Sequence, residues 1–241
     1  MIVIPGHQNG PPTSAHGGIA AGRFAEFIDP YRASVRFRRP VPLATPLQAD
    51  AGVDGASVDV FAGTDHIATV SRLATPPRLD VFKRIPPRDL ATARDDWLKE
   101  MAANHPFPTC FGCGPQRAVG SGLALRPGKV AGSERFVTPW SPNTDGDVEP
   151  WLVWAALDCP SGAPALSAVG PQEQVVTGTI SVSIDTPIPG RGDHQIISRL
   201  SERNGRKLST EAALVDPDGR TLATCAAVWI VVPRLTEEQA A

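Results

Sequence analysis

A weak internal repeat constrains what this 241-residue chain can fold into more than any other feature. In the first half, a helix-like segment at residues 17–28 precedes the alternating run Ser34-Val35-Arg36-Phe37-Arg38, which leads into Pro40-Val41-Pro42. Val58-Asp59-Val60-Phe61 follows, then a turn at Gly63-Thr64-Asp65, then Ile67-Ala68-Thr69-Val70. The second half keeps this order. Residues 149–158 are helix-like, and Thr179-Ile180-Ser181-Val182-Ser183-Ile184 alternates and leads into Pro187-Ile188-Pro189. Glu211-Ala212-Ala213-Leu214-Val215, a turn at Asp216-Pro217-Asp218-Gly219, and Leu222-Ala223-Thr224 complete the copy. The Pro-x-Pro pairs lie 147 positions apart and the x-Ala-Thr triplets 155, so longer loops in the second copy account for the drift.

Alternation with period two marks strands with one buried face. Asn204-Gly205 and Asp218-Gly219 are hairpin signals. Each half therefore reads as one helix followed by an antiparallel meander. Trp151-Leu152-Val153-Trp154-Ala155-Ala156-Leu157 is apolar all round, which suits a helix wrapped by its sheet. The halves are expected at residues 1–75 and 107–235. The linker at 76–106 carries Pro76-Pro77, Pro86-Pro87 and an amphipathic helix at 89–103, with Leu90, Trp97, Leu98 and Met101 near one face. Trp97 implies that this helix packs on the domain rather than acting as a solvated tether.

Composition excludes several classes. Twenty-five prolines and 22 glycines rule against long helical bundles. A net charge of -2 argues against a nucleic-acid-binding surface. No apolar run approaches the roughly 20 residues needed to span a bilayer. Residues 1–10 lack the basic and apolar regions of a secretory signal, so a cytoplasmic location is expected.

His105-Pro106-Phe107-Pro108-Thr109-Cys110-Phe111-Gly112-Cys113-Gly114-Pro115, followed by Gly122-Leu123-Ala124-Leu125, resembles the opening of PaaI-like acyl-CoA thioesterases of the hotdog superfamily, in which Gly-Leu-x-Leu enters the first strand. Ala15-His16-Gly17-Gly18 resembles the His-Gly-Gly at the start of that family's central helix, and Leu157-Asp158 its acidic residue. The resemblance implies an α+β double hotdog, two antiparallel sheets each wrapping a central helix, fused as a pseudo-dimer. In single-domain relatives the histidine and the acid stand nine residues apart on one helix. Here Ala25 stands nine after His16, and Glu149-Pro150-Trp151 replaces the His-Gly-Gly nine before Asp158. Because such dimers draw the glycine end from one subunit and the acid from the other, one complete composite site is expected, from His16-Gly17-Gly18 and Asp158. The opposite site would be degenerate, with Glu26 one position late for its missing acid.

The resemblance implies hydrolysis of an acyl thioester. Gly17 is the candidate donor to the oxyanion, because a backbone N–H at a helix N-terminus is preorganised for that charge. Gly18 would keep the entrance open, and His16 would orient the loop. The alternative is a Gly-Gly turn before a helix. Asp158 would be the general base or the nucleophile, against the plainer reading of an aspartate starting the turn at Cys159-Pro160-Ser161-Gly162. Pro160 suggests that the helix ends close by, which would set the carboxylate against the helix dipole.

Asn9 is a candidate to hold the thioester, Thr177 (before Thr179) to position water, and Trp154 to shape the acyl pocket, with core packing as its default. Cys110-x-x-Cys113 with His105 falls short of a four-ligand zinc set, so no metal and no cofactor are expected. Cys159, with no histidine near it in sequence, reads as a packed thiol. Arg36, Arg38 and Arg39 could meet CoA phosphates, though a solvated strand edge is the simpler reading. An acyl-CoA or other acyl thioester is the expected partner, with no nucleic acid and no membrane. A homodimer of pseudo-dimers is left open. The alternatives are a non-catalytic acyl-ligand-binding protein on the same fold and, last, an acyl-thioester hydratase, for which no matching Asp and His are present.

Overall fold

The computed structural model describes residues 1–52, 55–77 and 82–234. Position 235, the expected end of the second half, lies outside them. In the first half, helix α1 (Gly17–Ala25) is followed by β1 (Arg32–Phe37), β2 (Gln48–Ala51), β3 (Ser57–Ala62) and β4 (Asp65–Arg72). Helix α2 (Pro87–Asn104) links to β5 (Gly128–Lys129), β6 (Arg135–Trp140) and helix α3 (Pro150–Ser167). The second meander is β7 (Glu173–Ile184), β8 (His194–Asn204), β9 (Lys207–Val215) and β10 (Thr221–Pro233).

The strands pair in the order β2-β3-β4-β1-β7-β10-β9-β8-β6-β5. The first four and the next four are mirror copies, so the repeat is a structural one. The expected two sheets are joined into one, because β1 and β7 pair antiparallel across the pseudo-two-fold axis. At that seam Ser34 faces Ser181, and the Ser181 hydroxyl donates to that of Ser34 at 2.8 Å. These serines are themselves 147 positions apart.

Helices α1 and α3 pack on each other inside the curved sheet. Ile19, Phe24, Trp154 and Leu157 are fully buried there. Close approach depends on small residues. A Cβ at Gly22 would lie 2.7 Å from Trp151 Cα, and one at Gly18 would lie 2.5 Å from the Trp154 carbonyl oxygen.

Three expectations need correction. Helix α1 stops at Ala25, with 26–28 continuing only as turns. Helix α3 does not end near Pro160; it contains both Pro160 and Pro164 and runs to Ser167, which places Asp158 mid-helix. Packing against α1 and strands β6 to β10 on nearly all sides outweighs the lost N–H donors, and the Ser161 hydroxyl donates to the Asp158 carbonyl at 2.7 Å. Gly122-Leu123-Ala124-Leu125 does not enter a strand; pairing begins only at Gly128.

The linker helix packs on β5 and β6. Its Ala93 and Trp97 are buried, while Leu98 stays exposed. The Arg126 guanidinium lies 5.0 Å from the Trp97 ring centroid, and His105 meets that ring edge-on.

Candidate active site

Helix α1 begins at Gly17, with His16 as its N-cap. The His16 Nδ1 accepts from the Ile19 N–H at 3.3 Å. A backbone N–H can only donate, so in the neutral ring the proton lies on Nε2. That nitrogen faces Cys159 Sγ at 3.1 Å and Asp158 Oδ2 at 3.5 Å.

Helix α3 crosses beside this turn and delivers Asp158, which is only 3% exposed. Both carboxylate oxygens are held: Oδ2 accepts from the Gly18 N–H at 2.8 Å, and Oδ1 from the Thr177 hydroxyl on β7 at 2.9 Å. Burial raises the Asp158 carboxyl above its ordinary value; His16, the Gly18 N–H and Thr177 work the other way without cancelling it. His16 has the opposite balance. Burial opposes a charged ring, yet the Cys110 sulfur and the Asp158 carboxylate beside it raise its affinity for a second proton.

Gly17 is the first helical residue, so its N–H has no intrahelical acceptor. A Cβ there would lie 2.6 Å from Thr177 Oγ1 and 3.1 Å from Asp158 Oδ2. The missing side chain therefore leaves open the space beside the acid. Above it lies an apolar cavity of about 250 Å³. The first half contributes His16, Gly17 and Phe37 to its wall, and the second contributes Asp158, Thr177 and Trp229. Trp97 and Met101 of the linker helix close another side.

The structure thus brings His16, Gly17, Gly18, Asp158 and Thr177 together from three elements. Three other candidates do not line the cavity. Gly18 does not line the cavity; it sits in the helix crossing, and its N–H is spent on Asp158. Trp154 is fully buried, with its indole N–H donating to the Pro30 carbonyl at 2.9 Å, so it fills the core between the halves. Asn9 binds neighbouring loops: its amide donates to Thr109 Oγ1 at 3.1 Å and to the Gly10 carbonyl at 3.2 Å, and its oxygen accepts from Arg117 at 3.0 Å. A polar residue upstream of the histidine is equally suited to pin a loop or to meet a ligand. Of the arginine cluster, Arg39 reaches the cavity wall and pairs with Asp65 at 3.6 Å.

Sequence reasoning missed a thiol cluster. Cys110 Sγ lies 3.7 Å from Cys113 Sγ and 3.7 Å from Cys159 Sγ. Cys159 therefore does have a histidine partner, His16, which is 143 positions away in the chain. A Cβ at Gly112 would lie 2.5 Å from Cys159 Sγ and 2.6 Å from His16 Nε2, so this glycine lets the 110–113 loop seat on both. The only signal in the sequence was the glycine inside Cys-Phe-Gly-Cys.

His16 Nε2, Cys110 Sγ and Cys159 Sγ all fall within 4.8 Å of one another, close enough to share a metal ion. The ring protonation is wrong for that role. A zinc ligand needs a bare Nε2, which would put the proton on Nδ1 against the Ile19 N–H. His105 repeats the pattern, with Nδ1 accepting from the Phe107 N–H at 3.0 Å and Nε2 facing Cys113 Sγ at 3.3 Å. The arrangement fits hydrogen-bonded thiols better than a metal.

No family model matches the chain, and no curated protein does. Solved structures match along most of its length. The tesB protein of Mycobacterium avium subs paratuberculosis superposes with a TM-score of 0.60 at 14% identity, over 92% of this chain and 89% of that one. The acyl-CoA thioesterase II TesB2 of Mycobacterium marinum gives 0.56 at 12% identity, over 91% and 90%. A hot dog fold protein of unknown function from Alicyclobacillus acidocaldarius gives 0.59 at 13%, over 95% and 91%. At such identities the likeness is one of fold, and the fold is a double hotdog. No described helix is long and apolar enough to cross a membrane.

Proposed function

We propose that the chain is a thioester hydrolase of the acyl-CoA thioesterase type, acting at a composite site between its two halves. One observation carries this reading: a buried carboxylate from the second half stands beside a side-chain-free helix N-terminus from the first, at the wall of an apolar cavity. The acyl group lies in that cavity, against Phe37, Met101 and Trp229. The thioester carbonyl accepts from the Gly17 N–H, which stabilises the oxyanion of the tetrahedral intermediate. Asp158 takes a proton from water as it attacks. Thr177, already donating to Asp158, keeps a lone pair with which to orient that water. General-base attack suits the geometry better than nucleophilic attack, because both carboxylate oxygens are tied and Asp158 sits within a helix. Arg39, at the cavity wall, is placed to meet phosphates of a CoA carrier.

The test is thiol release from short, long and aromatic acyl-CoAs by wild type and Asp158→Asn, with a no-substrate control for the chain's four cysteines. Turnover that falls roughly 100-fold or more in the variant is the scale expected for a lost base. Unchanged turnover would remove Asp158 from the mechanism. Repeated turnover in ¹⁸O-water bears on the two roles of the acid: label in Asp158 marks a nucleophile whose anhydride is opened by water at the aspartyl carbonyl, whereas a general base leaves Asp158 unlabelled. A non-catalytic acyl-binding protein is the second reading, favoured by the loss of the symmetry-related site. It predicts binding to the same panel with no thiol released.

A further inference from the structure

The thiol cluster has no part in hydrolysis as described above, yet it lies on the same cavity. Cys110 and Cys159 both line the wall, one from the 110–113 loop and one from helix α3. Their sulfurs are 3.7 Å apart, so joining them at a disulfide length of about 2.05 Å needs a closure of under about 2 Å. Gly112 removes the side chain that would hold the loop off Cys159. Cys159 is the most open of the three residues, half-buried where Cys110 and Cys113 are buried, and its sulfur faces His16 Nε2 at 3.1 Å.

We propose that Cys110 and Cys159 form an oxidation site, reacting with a hydroperoxide to close a reversible disulfide across the wall of the cavity. The thiols of Cys113 and Cys159 hydrogen-bond Cys110 and hold its thiol well below the ordinary range, against the cost of burial. Cys110 also stands between the other two sulfurs, 3.7 Å from each, and lines the cavity, so it is assigned as the attacking thiolate. Its sulfur takes the distal oxygen of the peroxide, the O–O bond breaks, and with one proton an alcohol or water leaves, with Cys110 as the sulfenic acid. The Cys159 sulfur then attacks Cys110, the S–O bond breaks, and hydroxide leaves with the Cys159 proton as water. Two electrons have passed from the sulfur pair to the peroxide.

Closure joins the two sulfurs that surround His16 Nε2, an atom also 3.5 Å from the catalytic candidate Asp158, and so changes its hydrogen bonding. Oxidation is thus expected to lower hydrolysis reversibly, a consequence that rests on the function proposed above. Oxidisable pairs of this kind suit a reducing compartment, where disulfides are transient and regulatory.

The experiment is non-reducing peptide mapping of the chelator-treated, fully reduced wild-type protein after exposure to hydrogen peroxide. A single Cys110–Cys159 crosslink, reversed by dithiothreitol, is the expected result. It is retained in Cys113→Ser and absent in Cys159→Ser. A Cys110–Cys113 crosslink instead, over-oxidised thiols without any crosslink, or no change at peroxide levels that oxidise a free small thiol would each overturn the proposal. Mapping needs no turnover, so its failure stands apart from any failure of the hydrolase reading. A crosslink that leaves measured hydrolysis unchanged would overturn only the regulatory consequence.

Discussion

The two ends of the helix pair α1/α3 are related by the fold but differ in chemistry. The start of α1 presents His16, Gly17 and Gly18 to Asp158 on α3. The start of α3 presents Glu149, Pro150 and Trp151 to Ala25 on α1, and each of these residues is 133 positions from its counterpart. On the second side Pro150 has no N–H to offer an oxyanion, Trp151 stands where a glycine stood, and the carboxylate is a methyl. The 147-position relation of the seam strands makes Pro30 the repeat counterpart of Thr177, so the hydroxyl is missing as well. The Pro30 carbonyl is instead used to hold the Trp154 indole. Fusion of two copies thus leaves one face free to become pure packing while the other keeps its polar groups.

The sharpest way to break this comparison is Asp158→Asn against Ala25→Asp. The first should cost roughly 100-fold or more in kcat/KM. The second should restore no second site, since Pro150 and Trp151 are unchanged. Burying an unpaired carboxylate at fully buried Ala25 should instead lower the thermal midpoint, as read by a melting curve.

The two glycines should separate next. Gly18→Ala drives its Cβ into the α3 backbone and should cost about 1–3 kcal/mol of stability in denaturant titration. Gly17→Ala puts its Cβ 2.6 Å from Thr177 Oγ1, not against helix backbone, so it should cost less stability than Gly18→Ala but displace the hydroxyl that holds Asp158 and lose roughly 10-fold or more in kcat. Equal effects of both on stability alone would put Gly17 in a packing role.

Thr177→Val removes a hydrogen bond to the ionised acid, worth about 1.5–3 kcal/mol. It should lower kcat/KM on the order of 10-fold and move the acid limb of the pH–rate profile upward, because the charged form loses a partner. An unmoved limb would mean that Asp158 does not set it.

The smallest effect concerns stability. The folded state holds Asp158 above its unfolded value, so ionising it costs stability as pH rises past about 4, the ordinary range of a free aspartate. The cost is complete above the folded value. Asp158→Asn should therefore melt higher than wild type at neutral pH, and this advantage should vanish as both forms are brought below about pH 4. An advantage independent of pH would point to packing instead.

Much of this was legible in the residues. The repeat of alternating runs and Pro-x-Pro pairs foretold the mirror-related strands. The divided motif foretold that His16-Gly17-Gly18 and Asp158 would meet. What escaped were contacts between distant segments. No local pattern could show that the Gly18 N–H would be taken by Asp158, that Trp154 would turn to Pro30, or that Cys159 would meet Cys110 across 49 positions. The helix boundary at Pro160 failed for a related reason: a proline's local cost is visible in sequence, whereas the sheet that outweighs it is not.

The linker helix breaks the two-fold more thoroughly than any substitution. A single tether can lie over only one of two equivalent openings, and here Trp97 and Met101 lie over the one that keeps its acid. On the opposite side, next to Trp151, the N-terminal Val3, Ile4 and Pro5 line a second hollow instead. On the proposed function, selectivity for the acyl tail would therefore be portable: residues 87–104 could be exchanged for another helix to reshape the cavity wall while both central helices are left untouched.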